Sequence, residues 1–299
     1  MESKNTVNEP NNKNIGNKSS GNSSSENNFL NIAFSPAAKV FGEKAIPASE
    51  NIAESLNIAT ESALHALKPL ADIIECAGLS MSWFTRKLKN KIKNMSPENV
   101  IEPDKRISGP VISALQDCEE DEYISNIFAN LIANSIDRNT CKISHPSFAS
   151  IIQQITSDEA KILQIFETHV SYPVFDIFAI GENNDIRQYF ATNVTDIAES
   201  AGCSIPELNQ TYIDNLCRLY LLRKGGQCLD QKRYDALMDH KTIKSACEQI
   251  TTKGKKPYIS RTAVTITDFG RKFLNACLID KEDYNTKIEN DKLIVNPYI

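Results

Sequence analysis

The 299-residue chain lacks any run of ~18 apolar residues, so no helix of it is expected to span a bilayer. It lacks a C-x-x-C pair: its eight cysteines are spread over Cys76, Cys118, Cys141, Cys203, Cys217, Cys228, Cys247 and Cys277. Its four histidines, at 65, 145, 169 and 240, are equally scattered. No zinc finger or other metal site is therefore expected, and the thiols read as reduced packing residues. Eleven glycines and twelve prolines are too few for a collagen-like or proline-rich chain. Neither sign of charge dominates. Thirty-three basic against 38 acidic residues leave a net charge of −5, which excludes a wholesale basic nucleic-acid coat. The chain has no P-loop, dinucleotide glycine fingerprint, GxSxG elbow or HExxH. No cofactor, small-molecule substrate or enzymatic activity is thus indicated. MESKNTVNEPNNKN has no apolar stretch of a secretory leader, so a cytoplasmic protein is expected.

What is present divides into four parts. Residues 1–33 open with nine Asn and six Ser among the first 28 positions, and cannot bury enough apolar surface to offset their ordering entropy. They read as a disordered tail. Residues 34–150 read as a helical domain and 151–280 as a second domain, with 281–299 as a C-terminal tail. In the helical part, Leu56, Ala59, Ala63, Leu67, Leu70 and Ile74 recur at helical spacing, interrupted by Pro69. Residues 79–94 form an amphipathic basic helix with Trp83, Phe84, Leu88 and Ile92 on one side and Lys87 and Lys91 among the cations on the other. Such a helix either packs on its neighbours or lies on an anionic membrane, the latter through Trp83, Phe84, Lys87 and Lys91 of a 70–94 segment. Residues 96–110 read as a connector, and 110–137 as a helix whose face is Ile124, Ile127, Phe128, Leu131, Ile132 and Ser135. DCEEDEYI puts acidic residues at its start, where they complement the helix dipole.

Beyond residue 150 the pattern changes. Thr156 and Glu159 form a capping box before AKILQIF. PVFDIFAI and IRQYFATNV read as two strands joined at GENND. VTDIAESAG is a short helix stopping at Gly202, and Ser204 with Glu207 suggests a second capping box for a helix over 205–221 with Ile213, Leu216, Cys217 and Tyr220 inside. LLRKGGQCL and SRTAVTITDFG have strand character and enclose a helical insertion with a basic tip; TDFGRKFLNACL closes as a helix. The order fits a winged helix-turn-helix. The fold class expected is mainly α, a helical N-terminal domain plus a winged helix-turn-helix-like α/β C-terminal domain. The recognition helix would present Asn209, Gln210, Thr211, Asn215 and Arg218 to base edges or phosphates, and the tip Lys253, Lys255, Lys256 and Arg261. Residues 223–261 hold ten Lys/Arg and four Asp/Glu, a local +6 on a chain of −5. Winged helices equally serve as protein-binding modules, so the partner is DNA or protein. Self-association is expected of the helical half.

Two stretches carry a family resemblance. FSPAAKVFGE at 34–43, and above all SGPVISALQDCEEDEYISNIFANLIANSIDRNTCKISHPSFASIIQQITSDEAKIL at 108–163, resemble the bacterial abortive-infection alpha family. The resemblance spans roughly 34–280. It implies helices first, a winged-helix-like part after them, and phage defence by halting or killing an infected host. It carries no catalytic residue with it. A weaker likeness concerns Arg138 and His145, separated by six residues as in the Arg-(x4–6)-His pattern of HEPN ribonucleases, where His moves a proton and Arg stabilises phosphorane charge. Pro146 disfavours helical geometry at His145. A capping or hydrogen-bonding role is the plainer expectation for that histidine.

Overall fold

The computed structural model describes residues 82–115, 121–181, 187–228 and 231–280. The Asn/Ser-rich tail, the Leu56–Ile74 stripe, FSPAAKVFGE, Cys118 and the C-terminal tail lie outside the described residues.

The chain is mainly helical, with a four-stranded antiparallel sheet in its C-terminal part. Five helices come first: α1 (Ser82–Ile92), α2 (Lys105–Leu115), α3 (Glu122–Ser135), α4 (Phe148–Ile152) and α5 (Ser157–Ile165). β1 (Ser171–Ile180) and β2 (Arg187–Val194) follow, then α6 (Ile197–Ser200), α7 (Asn209–Arg218) and the short β3 (Leu222–Lys224). The insertion folds as α8 (Gln231–Met238) and α9 (Lys241–Thr252) before β4 (Lys256–Ile266). α10 (Asp268–Phe273) runs into a π-helical turn, Leu274–Leu278.

α3 is the hub of the helical half. Asp121 caps it, its carboxylate accepting the N–H groups of Tyr123 and Ile124, and every member of the expected apolar face is buried. α2 begins at Lys105, five residues before the expected end of the connector, with Pro110 in its interior. A proline there removes one helical hydrogen bond. Burial of Ile107, Val111, Ile112 and Leu115 along one face outweighs that loss, and Asp104 accepts the N–H of Arg106 at the helix start. Asn130 and Asn134, one turn apart on α3, are buried and donate to the carbonyls of Cys277 (3.0 Å) and Ala276 (2.9 Å) in the π-helical turn.

The sheet order is β2-β1-β4-β3. One buried cluster runs from Phe84 through α3, α5 and α7 to Ile279 and takes in Val174 and Val264 from the sheet. A second lies under the other sheet face, where Phe175, Ile177, Ala179, Val194 and Ala263 meet Tyr234 and Leu237 of α8 and Ile243, Ala246 and Ile250 of α9. The insertion thus covers the sheet. Alternate strand residues feed alternate cores, as the pleat requires.

α7 differs from expectation at both ends. A 3-10 turn, Pro206–Leu208, precedes it and Leu219 ends it. The second capping box does not form, because the Ser204 N–H is taken by Asp158. Ile213 and Leu216 are buried and Cys217 is half-buried, but Tyr220 takes a positive φ of 57° just past the helix and is exposed rather than inside.

Candidate nucleic-acid interface

The placement of α7 depends on the first turn of α5. Thr156 and Glu159 form the expected reciprocal cap. Between them, Asp158 is buried and accepts the Ser204 N–H (2.9 Å), the Ile205 N–H (3.2 Å) and the Tyr212 hydroxyl (3.1 Å), while Lys161 Nζ lies 2.9 Å away. Burial raises the carboxyl pKa. The Ser204 N–H, Lys161, the Ile205 N–H and the Tyr212 hydroxyl outweigh it and hold Asp158 well below the usual carboxylate range. Burial first, and then the bond to Asp158, push the Tyr212 phenol up to about 12. One carboxylate therefore fixes the α6–α7 turn, where Gly202 supplies the left-handed residue at φ 66°.

The outer face of α7 is partly occupied by β2. Asn209 Nδ2 donates to the Thr195 carbonyl (2.5 Å) and Gln210 Nε2 to Thr192 Oγ1 (2.6 Å). Asn193, at φ 53°, donates through its side chain to Asp214 (2.6 Å) and through its backbone to Asp176 (3.1 Å). Asp176 also holds Lys224 at 2.6 Å. Asn215 points inward, donating to Gln154 O (2.9 Å) and Glu159 Oε1 (2.7 Å), and its own oxygen accepts from Arg218. Arg218 also reaches Gln154. Of the five expected contact residues, Gln210, Thr211 and Arg218 are exposed, while Asn209 and Asn215 are half-buried and act as struts.

The lysines of the basic tip stand elsewhere, whereas Arg261 pairs with Phe175 at the level of Val194, its side chain turned toward α8. Lys256 pairs across β1 with Ile180, whereas Val194, beside α7, pairs with Phe175. Five residues of strand separate those levels, or about 17 Å. Lys255 donates to Gln188, Lys253 stands 5.6 Å over the Phe190 ring, and Arg261 bonds Gln231 and Asp235 while lying over Tyr234. Part of the +6 is compensated locally, through Lys224–Asp176, Lys244–Asp239 and Arg261–Asp235. The helix and the lysine tip are two regions, not one continuous patch, and Arg261 is engaged by α8.

The remaining candidate residues are engaged locally. Arg138 is exposed in the turn after α3, its backbone N–H bonded to the Asn99 carbonyl. His145 Nδ1 accepts the Ser147 N–H (3.2 Å) and lies 2.7 Å from its hydroxyl, while the ring packs against Phe148 and Phe269. That is a turn-stabilising role ahead of α4. Phe84, Leu88 and Ile92 are buried, and Lys87 and Lys91 pair with Glu122 and Asp280. The apolar side that a membrane reading needs is inside the protein. The Trp83 side chain and residues 70–81 lie outside the described residues. Among the described residues no helix is long and apolar enough to cross a membrane, and no three His, Cys, Asp or Glu side chains gather as a metal site.

Sequence reading missed Asp158, whose only local sign is an acidic residue between the two halves of a capping box. It also missed three aromatic residues on the sheet, Phe178, Tyr189 and Tyr258, visible in sequence only as alternate positions of separate strands.

A family model described as abortive infection alpha matches residues 79–277, well over half of the chain. FSPAAKVFGE falls outside that span, so the match is narrower than the 34–280 expected. No curated protein matches the chain. Among solved structures, it is similar to an uncharacterized protein from the hydrocarbon-degrading marine bacterium Alcanivorax borkumensis SK2, at 14% sequence identity over 46% of this chain and 94% of that one, with a TM-score of 0.32.

Proposed function

The chain belongs to the abortive infection alpha family, and from that premise we propose that it serves phage defence of the abortive-infection type as a sensor or effector without catalytic chemistry of its own. It engages DNA or a protein partner through the C-terminal module, read as a winged helix, while the helical half carries self-association and the protein works in the cytoplasm. The observation that carries the reading is the Asp158 clamp. It joins the α6–α7 turn to α5 and so fixes the angle at which α7 leaves the body. Strand order adds support: β4 lies between β1 and β3, with α6 and α7 ahead of the β3–β4 pair, as a wing following a recognition helix would be arranged. The α8–α9 pair is then an insertion within the wing.

Gln210, Thr211 and Arg218 are the exposed contacts for a duplex, and Asp214 on the same helix opposes phosphate. That opposition makes the choice between DNA and protein an experimental one. A mobility shift on arbitrary duplex DNA at low salt, weakened by Arg218→Ala and Gln210→Ala, supports the DNA arm. A folded protein that shifts no duplex at low salt assigns the module to a protein partner. The defence role is tested by phage plating on cells with and without the gene; equal plaque counts over a broad phage panel overturn it.

A further inference from the structure

Ile205 and Leu208, at the entry to α7, are two large aliphatic side chains left in water, 51% and 42% exposed. The Leu208 N–H donates to the Ile205 carbonyl (3.1 Å) where the Pro206–Leu208 3-10 turn forms, so the two residues stand within one turn of each other. Their backbone is held from behind. Asp158 accepts the N–H groups of Ser204 (2.9 Å) and Ile205 (3.2 Å), which fixes this segment to α5. Single exposed aliphatics are ordinary on a protein surface. A pair of them on a clamped turn is pre-organised, so a partner that covers it loses little ordering entropy.

The charge around the pair selects the kind of partner. Residues 188–217 hold all but the first residue of β2, all of α6 and all but the last residue of α7; they contain four Asp/Glu and no Lys, Arg or His. Glu199, Glu207 and Asp214 are exposed. Seven residues, about two helical turns, separate Glu207 from Asp214 and set them on one side of α7. The Asn193 amide that bonds Asp214 is neutral and offsets none of its charge. Lys161, Arg233 and His240 reach this region from other elements, each already engaged: Lys161 lies 2.9 Å from Asp158, Arg233 over the Tyr172 ring and His240 3.4 Å from Glu199. Arg218 is ten residues beyond Leu208, about 15 Å along the helix. The amides that a duplex would need are spent within the chain, Asn209 on Thr195, Gln210 on Thr192 and Asn215 on Gln154 and Glu159. Where α7 begins, phosphate is thus repelled and a Lys or Arg side chain attracted. We propose that Ile205 and Leu208 anchor a protein partner whose apolar contact is flanked by Lys or Arg side chains that meet Glu207 and Asp214. The proposal rests on the reading of α7 as the contact helix of the module, and within that reading it selects protein over duplex DNA.

The full-length protein is titrated by anisotropy with a fluorescein-labelled amphipathic peptide of Leu and Lys, and with a Leu/Glu peptide of the same length and pattern, at 50 and 200 mM salt. The Leu/Lys peptide binds and the Leu/Glu peptide does not. Ile205→Ser and Leu208→Ser each weaken binding about tenfold and leave its salt dependence as it was. Glu207→Gln with Asp214→Asn, which retains an oxygen for the Asn193 amide, instead reduces the loss of affinity between the two salt concentrations about twofold. Folded wild-type protein that binds neither peptide, or both alike, overturns the proposal. So does an Ile205→Ser/Leu208→Ser double variant that binds the Leu/Lys peptide like wild type. A duplex DNA shift that Arg218→Ala weakens overturns this choice of partner and leaves the α7 reading standing. Peptide binding that obeys these variants, in a protein whose gene protects against no phage, removes the defence role alone. Should a serine variant melt early, the charge variant still decides: an unchanged salt dependence counts against the proposal.

Discussion

Asp158, in the first turn of α5, accepts the backbone N–H of Ser204 through both carboxylate oxygens at 2.9 Å, across 46 residues of sequence. The helical half and the α6–α7 turn are thereby locked at a point where a side-chain charge meets main-chain donors. Asp158→Asn keeps the shape, removes the charge and puts an amide N–H₂ against N–H donors. Charge-assisted hydrogen bonds contribute about 1.5–3 kcal/mol, so the variant is expected to lose about 2–3 kcal/mol in urea unfolding. Wild-type stability in Asp158→Asn would remove the clamp from the account.

The same carboxylate gives a pH dependence of definite sign. Burial raises its pKa, but the Ser204 N–H, Lys161, the Ile205 N–H and Tyr212 lower it further, so the folded value lies below the unfolded value of ~3.9. A depressed carboxyl contributes stability that is fully present above the unfolded pKa and is lost as pH falls through the folded one. Wild type should therefore lose more stability than Asp158→Asn between pH 5 and pH 2, the two curves converging at the acid end. Unfolding free energies that stay parallel over that range would contradict it.

Gly270 is a point of close approach between α10 and the chain entering β3. A Cβ built there would stand 2.0 Å from the Leu221 carbonyl oxygen and 2.9 Å from its carbon. The obstacle is backbone, and Leu221 O also accepts the Thr267 N–H, so it cannot simply rotate away. Gly270→Ala is expected to cost about 3 kcal/mol, the upper range for overpacking, visible as a lower thermal midpoint. Substitution with no change in melting would mean that this contact yields more easily than its geometry implies.

How much of this was readable from the chain follows from the separation of the partners. The Thr156–Glu159 cap, the α3 face and the Gly202 stop are each decided within about four residues, and sequence pattern finds them. Ser204 and Glu207 match a cap equally well, yet the Ser204 N–H goes to a residue far upstream. Asn215 looked free on an outer face, but its partners Gln154 and Glu159 arrive from another part of the chain. The pairing of Phe178 with Tyr258 depends on the β1–β4 register, which no local spacing encodes. Local chemistry thus specified the elements, and long-range pairing decided which polar groups remain on the surface.

Phe84 separates a packing helix from a membrane helix. Its ring is fully buried, with Leu88 and Ile92 on the same side of α1, and α1 is tied to the body through Lys87–Glu122 and Lys91–Asp280. Exposing this side to lipid would require tearing the helix out of the core, against burial of three large apolar side chains. Phe84→Ala is accordingly expected to destabilise the protein by about 3–5 kcal/mol, as deletion of a buried ring does. A membrane anchor would behave in the opposite manner: Phe84→Ala would leave the urea midpoint unchanged and abolish flotation with anionic liposomes. The two measurements on one variant therefore discriminate, and the packing account fails if the midpoint stays while wild-type flotation is lost.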